Sequence, residues 1–466
     1  MKCRHWIDDR GRCLFLLIFG LFLSFSGHGQ EWMNPEEALK SNRPDTVYFL
    51  DLSNRSLQAV PSYVYQFSHL KELNLSGNHI RKIPTKLNRL DSLKTLILSN
   101  NGMAGRKEKA NQLYDTYQKS GLAMFGDPNK HPDYFMNKSP MDSARQATDE
   151  AIRQVNDAPN SLVPKFGRCR NIRVLDLSEC ALATLSRSIR KLRNLEGITL
   201  KNNLLTSVPG CLASLENLKN INLNFNRVDL TERRFTKMAQ RGFKKLERLA
   251  LAENGMKQLS PGLAALKQLI ELTIARNQIS FLGFDISQLK QLTSLNLYDN
   301  RLTEIDSGIY TLPSLQILDL TYNQIKEVSP KIGQLTKLYF LSLAANRIRV
   351  LPEELGNLTQ LEALYLDNNY VSQLPASMGQ LQHLKILHVQ HNQFRHFPKL
   401  IIQLTPLEDL DIASNQIAEL PLEIARLHNL KLFFLQKNAF DKESEQFRAL
   451  SKLFVEMRKR EVVVNE

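Results

Sequence analysis

Residues 315–325 read Leu-Gln-Ile-Leu-Asp-Leu-Thr-Tyr-Asn-Gln-Ile, the pattern L-x-x-L-x-L-x-x-N-x-I. It returns 23 residues later at Leu338, Leu341, Leu343, Asn346 and Ile348, and again from Leu361. A unit this short cannot bury its own apolar face, so a fixed period of this size means units stacked on one another. Fifteen copies begin at Val47, Leu70, Leu93, Ile172, Leu195, Leu218, Leu246, Leu269, Leu292, Leu315, Leu338, Leu361, Leu384, Leu407 and Leu430. From Leu246 onward the spacing is 23 throughout.

The residue types follow from what each position must do. The L-x-L step alternates with period two, which puts both leucines on one face of a short strand and the x positions on the other. Copies pair side by side as a parallel sheet. The ninth position is Asn78, Asn101, Asn203, Asn226, Asn254, Asn277, Asn300, Asn323, Asn346, Asn369, Asn392, Asn415 and Asn438, with Arg55 and Cys180 as departures. A buried carboxamide has two donors and an acceptor to satisfy backbone where the chain turns out of the strand. Stacked copies therefore predict an asparagine ladder. Proline recurs at the fifteenth position, as in Pro352, Pro375, Pro398 and Pro421, where it stiffens a segment that needs no sheet hydrogen bond. The outer segment takes more room than the strand, so the stack is expected to curve with the strands inside.

On these residues the chain, from about Val47 to Phe440, resembles the leucine-rich repeat family in its 23-residue, L-P-x-x-L-x-x-L form. The resemblance implies an α/β repeat solenoid, a curved horseshoe with a parallel β-sheet on its concave face, and members that mostly bind proteins. Cysteine-rich flanking caps are absent, which suits a bacterial exported protein better than an animal receptor ectodomain.

The rest of the chain reads as ends and interruptions. Residues 1–29 carry basic residues, the apolar run 14–25 and a small-x-small stretch before Gln30, the make-up of a secretory signal. Cleavage would leave an exported or cell-envelope protein with no stable membrane insertion. An uncleaved anchor and a cytoplasmic chain are the alternatives. Residues 30–46 form an N-terminal cap, with Asn34 capping a helix that starts at Pro35. A segment at 104–160 interrupts the array, with two helical stretches around a loop carrying Tyr134 and Phe135. Its reading is open between a tolerated outgrowth and a partner contact. A helix at 231–241 carries Arg233, Arg234, Lys237 and Arg241. Residues 441–466 read as a capping helix, with Phe447, Leu450, Phe454 and Met457 at helical spacing, followed by a tail. Cys169, Cys180 and Cys211 are unclustered, which argues against a disulfide framework.

Net charge is +14, which favours acidic partners without saying anything of fold. Function is expected on the outward strand positions, the third, fifth, seventh and eighth of each copy. Early copies carry small polar residues there, such as Asn74, Ser76, Asn220, Asn222 and Asn224. From the ninth copy they become Tyr298, Asp319, Tyr322, Phe340, Tyr365, Asp367, His388, His391, Asp409 and Asp411, with Phe434 beyond. Aromatics beside charges on a rigid face make binding hot spots, and this patch is the candidate ligand site. Cross-strand stacking of the aromatics is the competing reading.

Enzyme readings fail on spacing. Ser342 and His388 lie two strands apart, roughly 9–10 Å at about 4.8 Å per strand, whereas a nucleophile and its base need about 3 Å. His388, His391, Asp367 and Asp411 could cradle a metal, since adjacent strands bring His388 and Asp411 together, but nothing enforces the tetrahedral closure of such a site. The sequence thus predicts a non-enzymatic, monomeric protein-binding scaffold with no metal, no cofactor and no nucleic acid. The alternative is an intracellular signalling scaffold for a small GTPase or phosphatase-type partner.

Overall fold

The computed structural model describes residues 32–41, 43–80, 83–101, 169–231 and 233–466. The leader, the inserted segment and its Tyr134 and Phe135 lie outside them. The chain forms two compact units, Met1–Asn226 and Arg227–Glu466.

Among its described residues the first unit holds six three-residue strands, β1 Phe49–Asp51, β2 Glu72–Asn74, β3 Thr95–Ile97, β4 Val174–Asp176, β5 Gly197–Thr199 and β6 Asn220–Asn222. The second holds ten: β7 Arg248–Ala250, β8 Glu271–Thr273, β9 Ser294–Asn296, β10 Ile317–Asp319, β11 Phe340–Ser342, β12 Ala363–Tyr365, β13 Ile386–His388, β14 Asp409–Asp411, β15 Leu432–Phe434 and β16 Val463–Asn465. Within each unit neighbours pair parallel and in strict sequence order, each third, fourth and fifth position facing its counterpart one repeat on. The repeat leucines are the core: Leu318, Leu341, Leu364, Leu387 and Leu410 are fully buried, each worth about 1.5–3 kcal/mol relative to exposure.

Most copies return through a 3-10 turn on the outer side, for example Glu353–Asn357, Ala376–Gln380 and Lys399–Gln403. The fifteenth-position prolines cap these turns. Pro352, Pro375, Pro398 and Pro421 have φ of -77°, -56°, -68° and -73°, close to the value the ring imposes. Successive turns pack so tightly at Gly356 that a Cβ there would lie 2.5 Å from the Ser377 carbonyl oxygen.

The asparagines bridge copies. Asn346 Nδ2 donates to the carbonyls of Leu320 (2.9 Å), Leu343 (3.0 Å) and Ala344 (3.1 Å), while its Oδ1 accepts from Ile325 N–H at 3.0 Å. Asn323, Asn369, Asn392 and Asn415 repeat the arrangement. Cys180, in an asparagine's place, points its buried thiol at the carbonyls of Leu98 and Ser178, each 3.2 Å away. Cys169 and Cys211 are also buried and free.

The eighth position, just before the asparagine, is left-handed throughout the second unit: φ is 55° at Tyr322, 50° at Ala345, 55° at Asn368, 54° at His391 and 58° at Lys437. A non-glycine residue there costs roughly 1–2 kcal/mol, offset by the bonds the next residue makes. The periodic leucines say nothing of this kink, although Asn54, Gly77, Asn100 and Asn202 at the same position carry its signature.

The ends are built differently from each other. Helix α1, Pro35–Lys40, is capped by Asn34 Oδ1 accepting from Glu37 N–H at 3.0 Å. Met33 exchanges backbone bonds with Phe49 and Asp51, covering the free edge of β1. Helix α2, Arg233–Arg241, buries Phe235 and Ala239 and leaves its arginines outward. Helix α3, Glu445–Lys459, buries Leu450, Phe454 and Met457, with Phe454 edge-on to Phe433 at 6.3 Å. The segment after α3 corrects the expected tail: it returns as β16, parallel to β15. The β-branched run Val462-Val463-Val464 is the signal for it.

Candidate functional site

The outward row formed by the fifth positions of β10 to β15 runs Asp319, Ser342, Tyr365, His388, Asp411, Phe434 in register. The structure gathers most of the sequence-selected residues on this face into two clusters. Tyr298 and Tyr322 meet edge to face at 5.4 Å, with the Arg276 guanidinium 5.7 Å from the Tyr298 ring. Phe340, Tyr365 and His388 form a second stack, with centroids 5.5 Å and 5.0 Å apart. Between the clusters β11 contributes only Ala344 and Ala345 at its seventh and eighth positions.

His388 Nε2 lies 3.2 Å from Asp409 Oδ2. The contact falls short of a well-aligned hydrogen bond and is an ion pair when the imidazole is protonated, and Asp409 Oδ1 is buried with no hydrogen-bond partner among the described residues. Burial pulls the imidazole down, but Asp409, with Asp411 and Asp367, more than offsets this and leaves His388 above its ordinary range. His391, farther out, is lowered, by burial first and then by Lys437, against an opposing pull from Asp367. Burial raises Asp367 despite both histidines and pushes Asp411 up to about 6. The Tyr322 phenol is pushed up to about 12, by burial and then by Asp367 and Asp299. Burial likewise raises Tyr298 and Tyr365.

Two of the candidates are less available than the sequence suggested. Asp319 is only 3% exposed: its Oδ1 accepts from Thr321 N–H at 3.0 Å and from Thr321 Oγ1 at 2.7 Å. Burial raises it to about 6. This is a turn cap, and it recurs: Asn74, Asp176, Asn222, Asn296 and Asp411 each accept the N–H two residues on. An Asx side chain at the fifth position is therefore first a stop for the strand. Phe340, 8% exposed, is covered by its neighbours and supports Tyr365 rather than meeting solvent. Tyr298, Tyr322, Tyr365, Asp367, His388, His391, Asp409 and Asp411 are half-buried and line the face.

Tyr365 stands between Ser342 and His388 in the register, and the Ser342 hydroxyl pairs with Thr321, so no nucleophile and base meet here. Among the described residues no group of three or more His, Cys, Asp or Glu side chains is disposed to hold a metal ion. Outward positions from β9 to β14 carry Asp299, Asp319, Asp367, Asp409 and Asp411 and no lysine or arginine.

Comparison with known proteins fits this architecture. The family model described as leucine-rich repeat region matches residues 283–364 and 331–463, and the leucine rich repeat model matches 45–103 and 170–228. No curated protein matches the sequence. Among solved structures, a leucine-rich repeat protein of Leptospira interrogans aligns with a TM-score of 0.69 at 27% identity, over 94% of this chain and 100% of that one. An internalin of Listeria monocytogenes aligns at TM-score 0.55 and 24% identity, over 68% of this chain and 86% of that one. The chain in the PEPR1–AtPEP1 structure aligns at 0.53 and 21% identity, over 81% of this chain and 46% of that one. The last two likenesses bear on fold alone. With repeat models matching well over half of its length and a repeat protein aligned along nearly all of it, the chain belongs to the leucine-rich repeat family.

Proposed function

We propose that the protein is a non-enzymatic, exported binding module whose protein ligand docks on the sheet face of β9 to β15. The observation that carries this reading is the pairing of two aromatic clusters with half-buried carboxylates on a face that has no lysine or arginine from β9 to β14. Aromatics pre-positioned on a rigid sheet lose little entropy on binding. Three of the carboxylates, on Asp367, Asp409 and Asp411, are partly desolvated before any ligand arrives. A basic segment of a partner would relieve that cost, so the contacting stretch is expected to carry lysine or arginine. That differs from the acidic partner which net charge alone favours, because, apart from Arg276 and Lys437 at its two ends, the positive charge lies off this face.

The test compares wild type with the Tyr322→Ala/Tyr365→Ala/His388→Ala variant in quantitative pull-downs, after matching their thermal unfolding. Partners captured by wild type and lost by the variant support the site; equal recovery by both refutes it. Export is tested separately: N-terminal sequencing of the mature protein should begin at Gln30, and an intact leader in soluble cytosol would favour the intracellular scaffold.

A further inference from the structure

On the flank of the second unit, where the chain leaves β12, β13 and β14, a groove of about 880 Å³ opens between successive repeats. Its size falls within the range of small-molecule sites, roughly 300–1,000 Å³. It exists because one repeat carries Ser372 and Ala376 where the next carries Arg395 and Lys399, so small side chains face long ones. The walls are held by backbone bonds from Gln393 N–H to the Val371 carbonyl and from Gln416 N–H to the Phe394 carbonyl, both 2.9 Å.

The lining is chemically one-sided. Arg395, His396 and Lys399 are exposed, no acidic residue lines the groove, and none of the three has an ion-pair or side-chain hydrogen-bond partner among the described residues. Alongside them stand the carboxamides of Gln373, Gln393, Gln403 and Gln416 and the hydroxyl of Ser372. Each carboxamide offers donors and an acceptor together. A bare phosphate would use only donors and leave four amide oxygens unmatched. A peptide anchor would need an open apolar pocket, whereas Leu374 and Phe397 are buried in the core and Pro398 and Leu400 are only half-exposed.

We propose that this groove binds an acidic oligosaccharide. Its carboxylate or sulfate group pairs with Arg395 and Lys399, and its ring hydroxyls, which both donate and accept, exchange hydrogen bonds with the carboxamides. The site shares no residue with the sheet face and carries the opposite charge, so the two readings stand or fall separately.

The experiment is calorimetric titration of the full chain with three tetrasaccharides: one of alternating glucuronate and N-acetylglucosamine, a sulfated one, and neutral chitotetraose. Expected is saturable binding of at least one acidic tetrasaccharide and none of the neutral one. Affinity should fall about tenfold or more in Arg395→Ala/Lys399→Ala, whose substituted side chains are exposed and leave the fold intact. It should also fall as salt rises from about 50 to about 300 mM, and be unchanged in the Tyr322/Tyr365/His388 variant. The proposal is overturned if neither acidic sugar binds, if the double variant binds as well as wild type, if the sheet-face variant loses binding, or if equimolar phosphate displaces the sugar.

Discussion

Replacing Asn346 by alanine asks how much one rung of the ladder contributes. The amide touches four backbone groups, but they do not suffer equally. The Leu320 carbonyl keeps a donor in Asn323 Nδ2 at 3.0 Å, and the Leu343 carbonyl keeps Asn369 Nδ2 at 2.9 Å. The Ala344 carbonyl still accepts from Tyr322 N–H at 3.0 Å. Only Ile325 N–H loses its partner outright. Asn346 is 4% exposed, so water cannot readily take the vacated place. One orphaned buried N–H costs about 1–3 kcal/mol, and the weakened shared bonds add about 1 kcal/mol more. The expected destabilisation is thus about 2–4 kcal/mol in urea unfolding, accompanied by faster hydrogen exchange at the Ile325 amide. Asn438→Ala is the control: that residue is half-buried, so water can enter the place its side chain vacates, and the cost should be roughly half. A loss below about 1 kcal/mol for Asn346→Ala, or one equal to the control, would refute the argument that the amide is irreplaceable because it is dry.

Burial raises Asp319 to about 6 from an ordinary 3.8, so the ionised group costs stability at neutral pH and returns it as pH falls from about 6 towards 4. Asp319→Asn, which keeps the acceptor that Asn296 presents at the same position, should raise stability by about 1–3 kcal/mol at pH 7 and by almost nothing at pH 4, read by thermal unfolding at both. The raised His388 works through its charged form: its contribution is complete below the ordinary 6.5 and is lost as pH rises through its folded value. His388→Gln should therefore lower the melting temperature at pH 5.5 more than at pH 8.5; an equal effect at both would deny the ion pair a role. Phe454→Ala removes a fully buried ring from the end of the second unit and should cost about 3–5 kcal/mol, with limited proteolysis cutting within 441–466 before the rest.

Much of the fold was legible because the determinants are local and repeated. Leu318 and its counterparts announce strand, face and spacing together, and Asn34-Pro35 and the spacing of Leu450, Phe454 and Met457 announce the end helices. What escaped reading depends on shape rather than hydrophobicity. The left-handed eighth position is occupied by tyrosine, alanine, histidine and lysine as well as by asparagine and glycine, so no residue type marks it reliably. Strand β16 stands 31 residues after β15 in register, off the period, because α3 takes longer to return than a 3-10 turn. Of the candidate site, the outward positions were readable from alternation alone. Whether each was free was not, since that depends on the residue two places on and on the strand beside it. Asp319 shows the difference: its period placed it on the outward face, and Thr321 turned it into a cap.

The same distinction decides which carboxylates on that face keep acceptor capacity for the ligand proposed above. A carboxylate already accepting from backbone, such as Asp411 from Ala413 N–H, keeps only part of its acceptor capacity for a ligand. Asp409, at a third position, has no turn to cap. It meets His388 on one oxygen and, among the described residues, has no hydrogen-bond partner on the other. Asp367, at a seventh position, accepts from Asn368 Nδ2 at 2.9 Å. A cationic side chain approaching the Tyr365 ring would thus find its strongest acceptors on Asp367 and Asp409, from strands on either side of His388. Net charge of +14 averages this face with flanks such as the Arg395 groove, and so describes neither. For a repeat protein the useful electrostatic quantity is the charge of each row of equivalent positions, because each row is a separate surface.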